Sequence, residues 1–166
     1  MRHVISVLVE NKFGVLAKIA GLFSGRGFNI DSLSVGETMD PSISRMTIVT
    51  RGDDKILEQI TKQLNRLIDV IKVQDFTDQA YVDRELVMIK VGASSEHRAQ
   101  VMEVADIFRA KIIDVSPETL TLEVTGDQGK ITAIIDLLKP YDIKELVRTG
   151  RVAVSRGAQP LKSMKE

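Results

Sequence analysis

The feature that most constrains this chain is an order of hydrophobic periods that occurs twice: strand, helix, strand, strand, helix, strand, and then the same again. Val4 to Val9 is a largely β-branched run with Ser6 as its only polar member, so it reads as a buried central strand, ended by the turn-like Glu10-Asn11-Lys12-Phe13-Gly14. From there Val15, Leu16, Ile19, Leu22 and Phe23 keep to one face of a helix, and Gly25-Arg26-Gly27 stops it. Phe28, Ile30, Leu33 and Val35 alternate but slip phase around Ser32, which predicts a bulged strand. After a turn at Asp40-Pro41-Ser42, Met46 and Ile48 mark the next strand. Asp53 then caps a helix with Ile56, Leu57, Ile60, Leu64 and Leu67 on one face, and Val70 to Val73 closes the unit.

The polar stretch Thr77 to Asp83 reads as a linker, and the residues after it repeat the order. Leu86 to Val91 is a strand, Ser94 or Ser95 caps a helix carrying Val101, Val104, Ala105 and Phe108, and Lys111 to Val115 is a strand. Leu120, Leu122 and Val124 alternate with polar residues, Asp127 caps a helix with Ile131, Ile134, Ile135 and Leu138 inward, and Pro140 stops it. Ile143 to Val147 closes the unit, with Val152 to Val154 as an extra strand. The fold class is therefore α+β, with two tandem ferredoxin-like (βαββαβ) domains: 1–76, a linker at 77–83, a second domain at 84–157 and a tail at 158–166. Each sheet is expected to carry two helices on one face and to leave the other bare. A unit this small buries only about 60% of its unfolded surface, so an oligomer is expected.

Composition removes several functions. The 23 Lys and Arg are matched by 23 Asp and Glu, which leaves no bulk attraction to nucleic acid or anionic membrane. With no Cys, disulfides, thiolate zinc sites and cysteine nucleophiles are excluded, and a cytoplasmic location fits. The apolar run at the N-terminus is too short for a signal peptide or a membrane anchor. His3, at the chain start, and His97, in the first turn of a helix beside Glu96 and Arg98, read as solvated polar residues. The carboxylates are scattered and no metal-ligand spacing appears. Gly21, Gly25 and Gly27 match neither a dinucleotide fingerprint nor a P-loop. The strand Arg45-Met46-Thr47-Ile48-Val49 lacks the aromatics that stack RNA bases. Neither a catalytic set nor a resident metal or cofactor is expected.

The informative segment is Glu10 to Leu16. A helix N-terminus presents unpaired N–H groups and a partial positive charge, so it can hold a small carboxylate, and Gly14 lets the backbone come close. Asn11, and Asn29 at the start of the second strand, offer acceptors for an ammonium and donors for a carboxylate. That combination suits an amino acid. The residues equally allow Gly14 only to make the turn and Asn11 only to cap the helix.

Val4 to Ile30, reading Val-Ile-Ser-Val-Leu-Val-Glu-Asn-Lys-Phe-Gly-Val-Leu-Ala-Lys-Ile-Ala-Gly-Leu-Phe-Ser-Gly-Arg-Gly-Phe-Asn-Ile, resembles an ACT domain, specifically that of the acetohydroxyacid (acetolactate) synthase small regulatory subunits. Asp31 to Val35, Ser44 to Thr47, Glu58 to Leu64, Val70 with Val73, Arg84 to Leu86, Ile107 to Ala110 and Ile113 to Val115 continue the similarity along nearly the whole chain. The resemblance implies a chain with no chemistry of its own that binds a large catalytic subunit using thiamine diphosphate, Mg²⁺ and FAD. It would raise that subunit's activity and make it sensitive to valine, in the synthesis of valine, leucine and isoleucine. It further implies a homodimer through the ACT domains, with effector sites between them. Asn11 and Gly14 would then come from the turn of one protomer and Asn29 and Ile30 from the other. Lys12, Phe13, Val15 and Leu16 would flank that turn, supplying apolar walls or backbone N–H groups. Two other readings stand beside it: a free-standing amino-acid sensor acting on another enzyme, and an enzyme or metal-binding module on the same scaffold.

Overall fold

The structure, a computed structural model, describes residues 1–158; the expected tail beyond Ala158 lies outside the described residues. The chain forms two compact units, one made of Met1–Val82 with the segment that begins at Arg151, the other of Asp83–Gly150.

In the first unit β1 (Arg2–Glu10) leads to α1 (Val15–Gly25), β2 (Ile30–Glu37), β3 (Ile43–Arg51), α2 (Asp54–Asn65) and β4 (Val70–Asp75). The strands form an antiparallel sheet in the order β2-β3-β1-β4, so β2 and β4 are edges and β1 is central. Ile5, Val7 and Val9 point from β1 into a core with Ile19, Phe23, Ile60 and Leu64 of the helices. The slip expected around Ser32 is present as a register shift between Ile30 and Ser32. Asp53 caps α2 as expected, its side chain accepting from Ile56 N–H. The end of α1 is a Schellman motif: Phe28 N–H reaches Phe23 O, Gly27 N–H reaches Ser24 O, and Gly27 takes the left-handed conformation (φ 69°) that an L side chain resists.

The second unit repeats the order: β5 (Tyr81–Gly92), α3 (Arg98–Ile107), β6 (Lys111–Val115), β7 (Thr119–Gly126), α4 (Gln128–Leu138) and β8 (Ile143–Arg148). Its strand order, β6-β7-β5-β8, matches that of the first sheet position for position. Leu120, Leu122 and Val124 are buried against Ile131, Ile134 and Leu138, as their alternation predicts, and Asp127 caps α4. Pro140 falls in a 3₁₀ turn (Lys139–Tyr141) that ends the helix.

Several details depart from expectation. β5 begins at Tyr81, inside the stretch read as linker. α3 begins at Arg98 rather than after Ser94 or Ser95, because Ser94 O already accepts from His97 and Arg98 N–H and forms a separate turn. His97 is thus the residue before the helix. His3 is not solvated but buried, with Nε2 donating to Gly52 O (3.1 Å) and Nδ1 against Thr77 Oγ1 (2.9 Å). β9 (Val152–Ser155), expected as an extra strand, is present, and Arg156 N–H after it donates to Ala80 O (2.9 Å), within the first unit. The sheet face expected to be bare there is covered, since Phe76, Tyr81 and Ala153 pack on Val4 and Val49.

α3 also ends in a Schellman motif, Ala110 N–H to Ala105 O and Arg109 N–H to Asp106 O, but the left-handed position holds Arg109 (φ 53°). That conformation costs an L residue roughly 1–2 kcal/mol, and the extra unfolded-state freedom of glycine returns part of the gain. Arg109→Gly is therefore expected to stabilise the second unit by about 0.5 kcal/mol. Denaturant melts compare the two chains; an unchanged or lower midpoint would mean the arginine side chain contributes more than its backbone costs.

Candidate functional site

The turn between β1 and α1 is built around Gly14, at φ 83° and ψ −7°, where α1 starts with no side-chain cap. A side chain in its place would meet nothing within 4 Å, so the approach to the helix end is open. The first bond that reaches back to the turn in the helical pattern is Lys18 N–H to Gly14 O (3.0 Å), which leaves the N–H groups of Leu16 and Ala17 as the outward donors of a helix start. Asn11 does not cap this helix. Its backbone N–H donates to Ser42 O (2.7 Å), and its Nδ2 donates to Pro41 O (2.9 Å) and Glu37 Oε1 (3.3 Å), tying the turn to the β2–β3 connection. The reading of Asn11 as a mere cap is thereby removed, and the cap position stays open.

At the other candidate point, Asn29 Nδ2 donates to Asp31 Oδ1 (3.0 Å), while Asn29 O accepts from Thr50 Oγ1 (2.7 Å). Asp31 is fixed in turn by Arg51 Nε (2.7 Å) and Arg2 Nε (2.9 Å), and the Arg51 hydrogen bond is the first cause holding its carboxyl below the usual carboxylate range. Both asparagines have their amide nitrogen engaged by acceptors. Among the described residues neither Oδ1 has a donor, so each presents an acceptor oxygen. The pair suits an ammonium, and the carboxylate of an amino acid is left to the uncapped helix start.

The flanking residues divide. Phe13 is fully exposed and Leu16 about half, so both can offer apolar surface at the turn. Val15 cannot: it is 3% exposed and belongs to the core, with its N–H directed at Lys12 O (3.4 Å). Lys12 pairs with Glu10 (2.6 Å), which raises its pKa and turns its charge aside. Ile30 packs at the edge of the core. Sequence reasoning missed Asp31 with Arg2 and Arg51, and the Lys18–Asp69 pair (2.6 Å) beneath α1. The first of these is brought together by the pairing of non-consecutive strands, Arg2 lying opposite Arg51 across β1 and β3.

Within one chain the two groups do not meet. Asn29 and Ile30 lie level with Thr50 and His3, whereas the Asn11 turn follows Glu10, opposite Ile43. Positions 3 and 10 of β1 are seven residues apart, about 23 Å at roughly 3.3 Å per residue. The chain thus carries two half-sites at opposite ends of one sheet.

Residues 5–72 match the AHAS small subunit-like ACT domain, and residues 84–157 match the family described as small subunit of acetolactate synthase. The probable acetolactate synthase small subunit of Methanothermobacter thermautotrophicus is 58% identical over 96% of this chain and 95% of its own length. That of Mycobacterium bovis is 53% identical over 98% and 97%. The crystal structure of the small subunit from Thermotoga maritima superposes with a TM-score of 0.87 at 43% identity, over 96% of this chain and 99% of the other. The chain belongs to the acetolactate synthase small-subunit family. Among the described residues no group of three or more His, Asp or Glu side chains is placed to hold a metal ion, and no helix is long and apolar enough to cross a membrane.

Asp31 and Asp69 both have folded-state pKa values below the ordinary 3.8, the second chiefly through its hydrogen bond from Lys18. A depressed carboxyl stabilises the fold above its unfolded pKa and loses that contribution as pH falls through the folded value, here below about pH 4. Asp31→Asn should flatten the acid end of the small subunit's stability profile, as read by circular dichroism in denaturant at stepped pH. An unchanged profile below pH 4 would show that the arginines do not hold Asp31 in solution.

Proposed function

We propose that this small subunit is a non-catalytic regulator that raises the activity of its large subunit and makes it sensitive to valine through sites shared by two copies of the chain. The observation that carries the reading is the pair of half-sites at opposite ends of the sheet, with β2 as the exposed edge along which they are separated. An edge strand offers unpaired N–H and C=O groups, and antiparallel pairing of β2 with the same strand of a second copy obeys a two-fold axis. That pairing sets the Asn29 end of one protomer beside the Asn11 and Gly14 end of the other, twice per dimer.

In such a site the valine carboxylate meets the N–H groups at the start of α1, favoured by the helix dipole. The ammonium lies between the acceptor oxygens of Asn11 and Asn29, and the isopropyl group packs on Leu16, Ile30 and Phe13. Selection among aliphatic amino acids then rests on pocket volume, which is worth about 1–3 kcal/mol per methylene, so leucine and isoleucine bind more weakly. Occupancy stabilises one way of pairing the chains, and a coupling of about 1–3 kcal/mol reaches the large subunit by linkage. Thiamine diphosphate, Mg²⁺ and FAD belong to that large subunit in this reading, none to the small one, and the complex works in the cytoplasm.

The test is the rate of acetolactate formation from pyruvate by the large subunit of the same organism, with and without this chain and valine. Stimulation that valine reverses is expected; stimulation without a valine effect would remove the effector site. Gly14→Asp has room for its side chain, although φ 83° strains an L residue there, and places a carboxylate where the ligand's belongs, so it should abolish the valine response and keep the stimulation. Asn29→Ala should weaken valine by about 1–3 kcal/mol in calorimetry, and wild-type affinity would make Asn29 a structural residue only.

A further inference from the structure

On the face of the first sheet turned away from α1 and α2 lies a cleft of about 740 Å³. Leu8, Ile43 and Arg45 of the sheet, Met39 and Asp40 of the β2–β3 connection and Val154 of β9 line it. Arg45 is half-buried there, with Nε donating to Ser6 Oγ (2.9 Å) and Nη2 to Ala153 O (3.0 Å). Neither partner carries a charge, and among the described residues no carboxylate pairs with it. The rim carboxylate, Asp40, is occupied by the N–H (2.9 Å) and Oγ (2.7 Å) of Ser42. Burial alone pulls the Arg45 pKa below that of an ordinary guanidinium. A cation half withdrawn from water, with no counter-charge among the described residues, carries a desolvation cost, and an arriving carboxylate would offset it through a charge-assisted hydrogen bond.

The rim also carries exposed apolar side chains on a hydrogen-bonded connection. Met39 is fully exposed and Val154 about half. The connection that presents Met39 is closed by Thr38 N–H to Ile43 O (2.9 Å), Ile43 N–H to Asp40 O (3.0 Å) and Thr38 Oγ1 to Asp40 O (2.9 Å). An arginine floor beside exposed apolar side chains on a hydrogen-bonded connection has the composition of an interface anchor point rather than of a small-metabolite pocket.

We propose that this cleft docks the large subunit, taking one of its carboxylate side chains onto Arg45 and a neighbouring apolar side chain against Met39 and Val154. The proposal rests on the assembly put forward above and adds where it occurs. It also supplies the connection to the effector: the backbone and amide of Asn11 are bonded to Ser42 and Pro41 of the same β2–β3 connection, so a ligand that repositions the Asn11 turn moves the rim of the cleft.

The experiment titrates the large subunit with wild-type, Met39→Asp and Arg45→Gln chains, following acetolactate formation, while calorimetry measures valine binding to each chain alone. Both variants are expected to raise the concentration for half-maximal stimulation by roughly tenfold or more, with valine binding unchanged. Met39 makes no burial of its own, so Met39→Asp keeps the fold and carries the test even if Arg45→Gln loosens Ala153. Wild-type stimulation by a folded Met39→Asp chain overturns the docking site. A change confined to self-association in sedimentation, with stimulation intact, also overturns it and makes the cleft a contact between copies. Absence of valine binding in every chain would remove the effector reading and leave this result readable on its own.

Discussion

Everything in the first unit depends on the burial of β1 on both faces. Ile5, Val7 and Val9 on one side and Val4 and Leu8 on the other are all under 9% exposed. At about 1.5–3 kcal/mol for each such side chain, leaving either face open would consume much of the roughly 5–15 kcal/mol that stabilises a whole domain. One face is covered by α1 and α2. The unit has no second pair of helices among the described residues to cover the other, and Phe76, Tyr81 and Ala153 cover it instead. Ser6, the polar member of the same strand, needs a partner on that face and finds it in Arg45, which also grips Ala153 O. That the guanidinium in the cleft is held by neutral partners results from the way this strand is closed over.

Local patterns were legible wherever the physics is local. Period-3.6 and period-2 spacing identified the four α-helices and nine strands of the described residues, and Asp53 and Asp127 announced their caps because capping involves residues three apart. The slip at Ser32 was visible for the same reason. Long-range closure was not. Nothing in Val152 to Ser155 says which unit the strand joins, since a short β-branched run fits any open edge. His3 looked solvated because its partners, Gly52 and Thr77, are 49 and 74 residues away. The expectation of a bare sheet face came from taking each repeat as self-sufficient.

The half-sites show the same division. Gly14 was readable from a turn that must enter the left-handed region, and the two asparagines from their chemistry. Which atoms they present was not, because it depends on Pro41, Glu37 and Asp31 taking the amide donors. Residues 2, 31 and 51 carry no shared motif, and strand register alone brings them together. A polar side chain's type is set by sequence, but the polarity it shows a ligand is set by what its other atoms have already bonded.

The separation of the half-sites along one strand has a consequence for mixed assemblies. Under the proposed pairing, each site takes its turn from one chain and its Asn29 from the other. Two chains, one damaged at Gly14 and the other at Asn29, each form dimers without an intact site. Combined, they form a heterodimer in which both lesions fall in the same site, leaving the second wholly wild-type. Defects that are complete in either pure population would complement each other in a mixture.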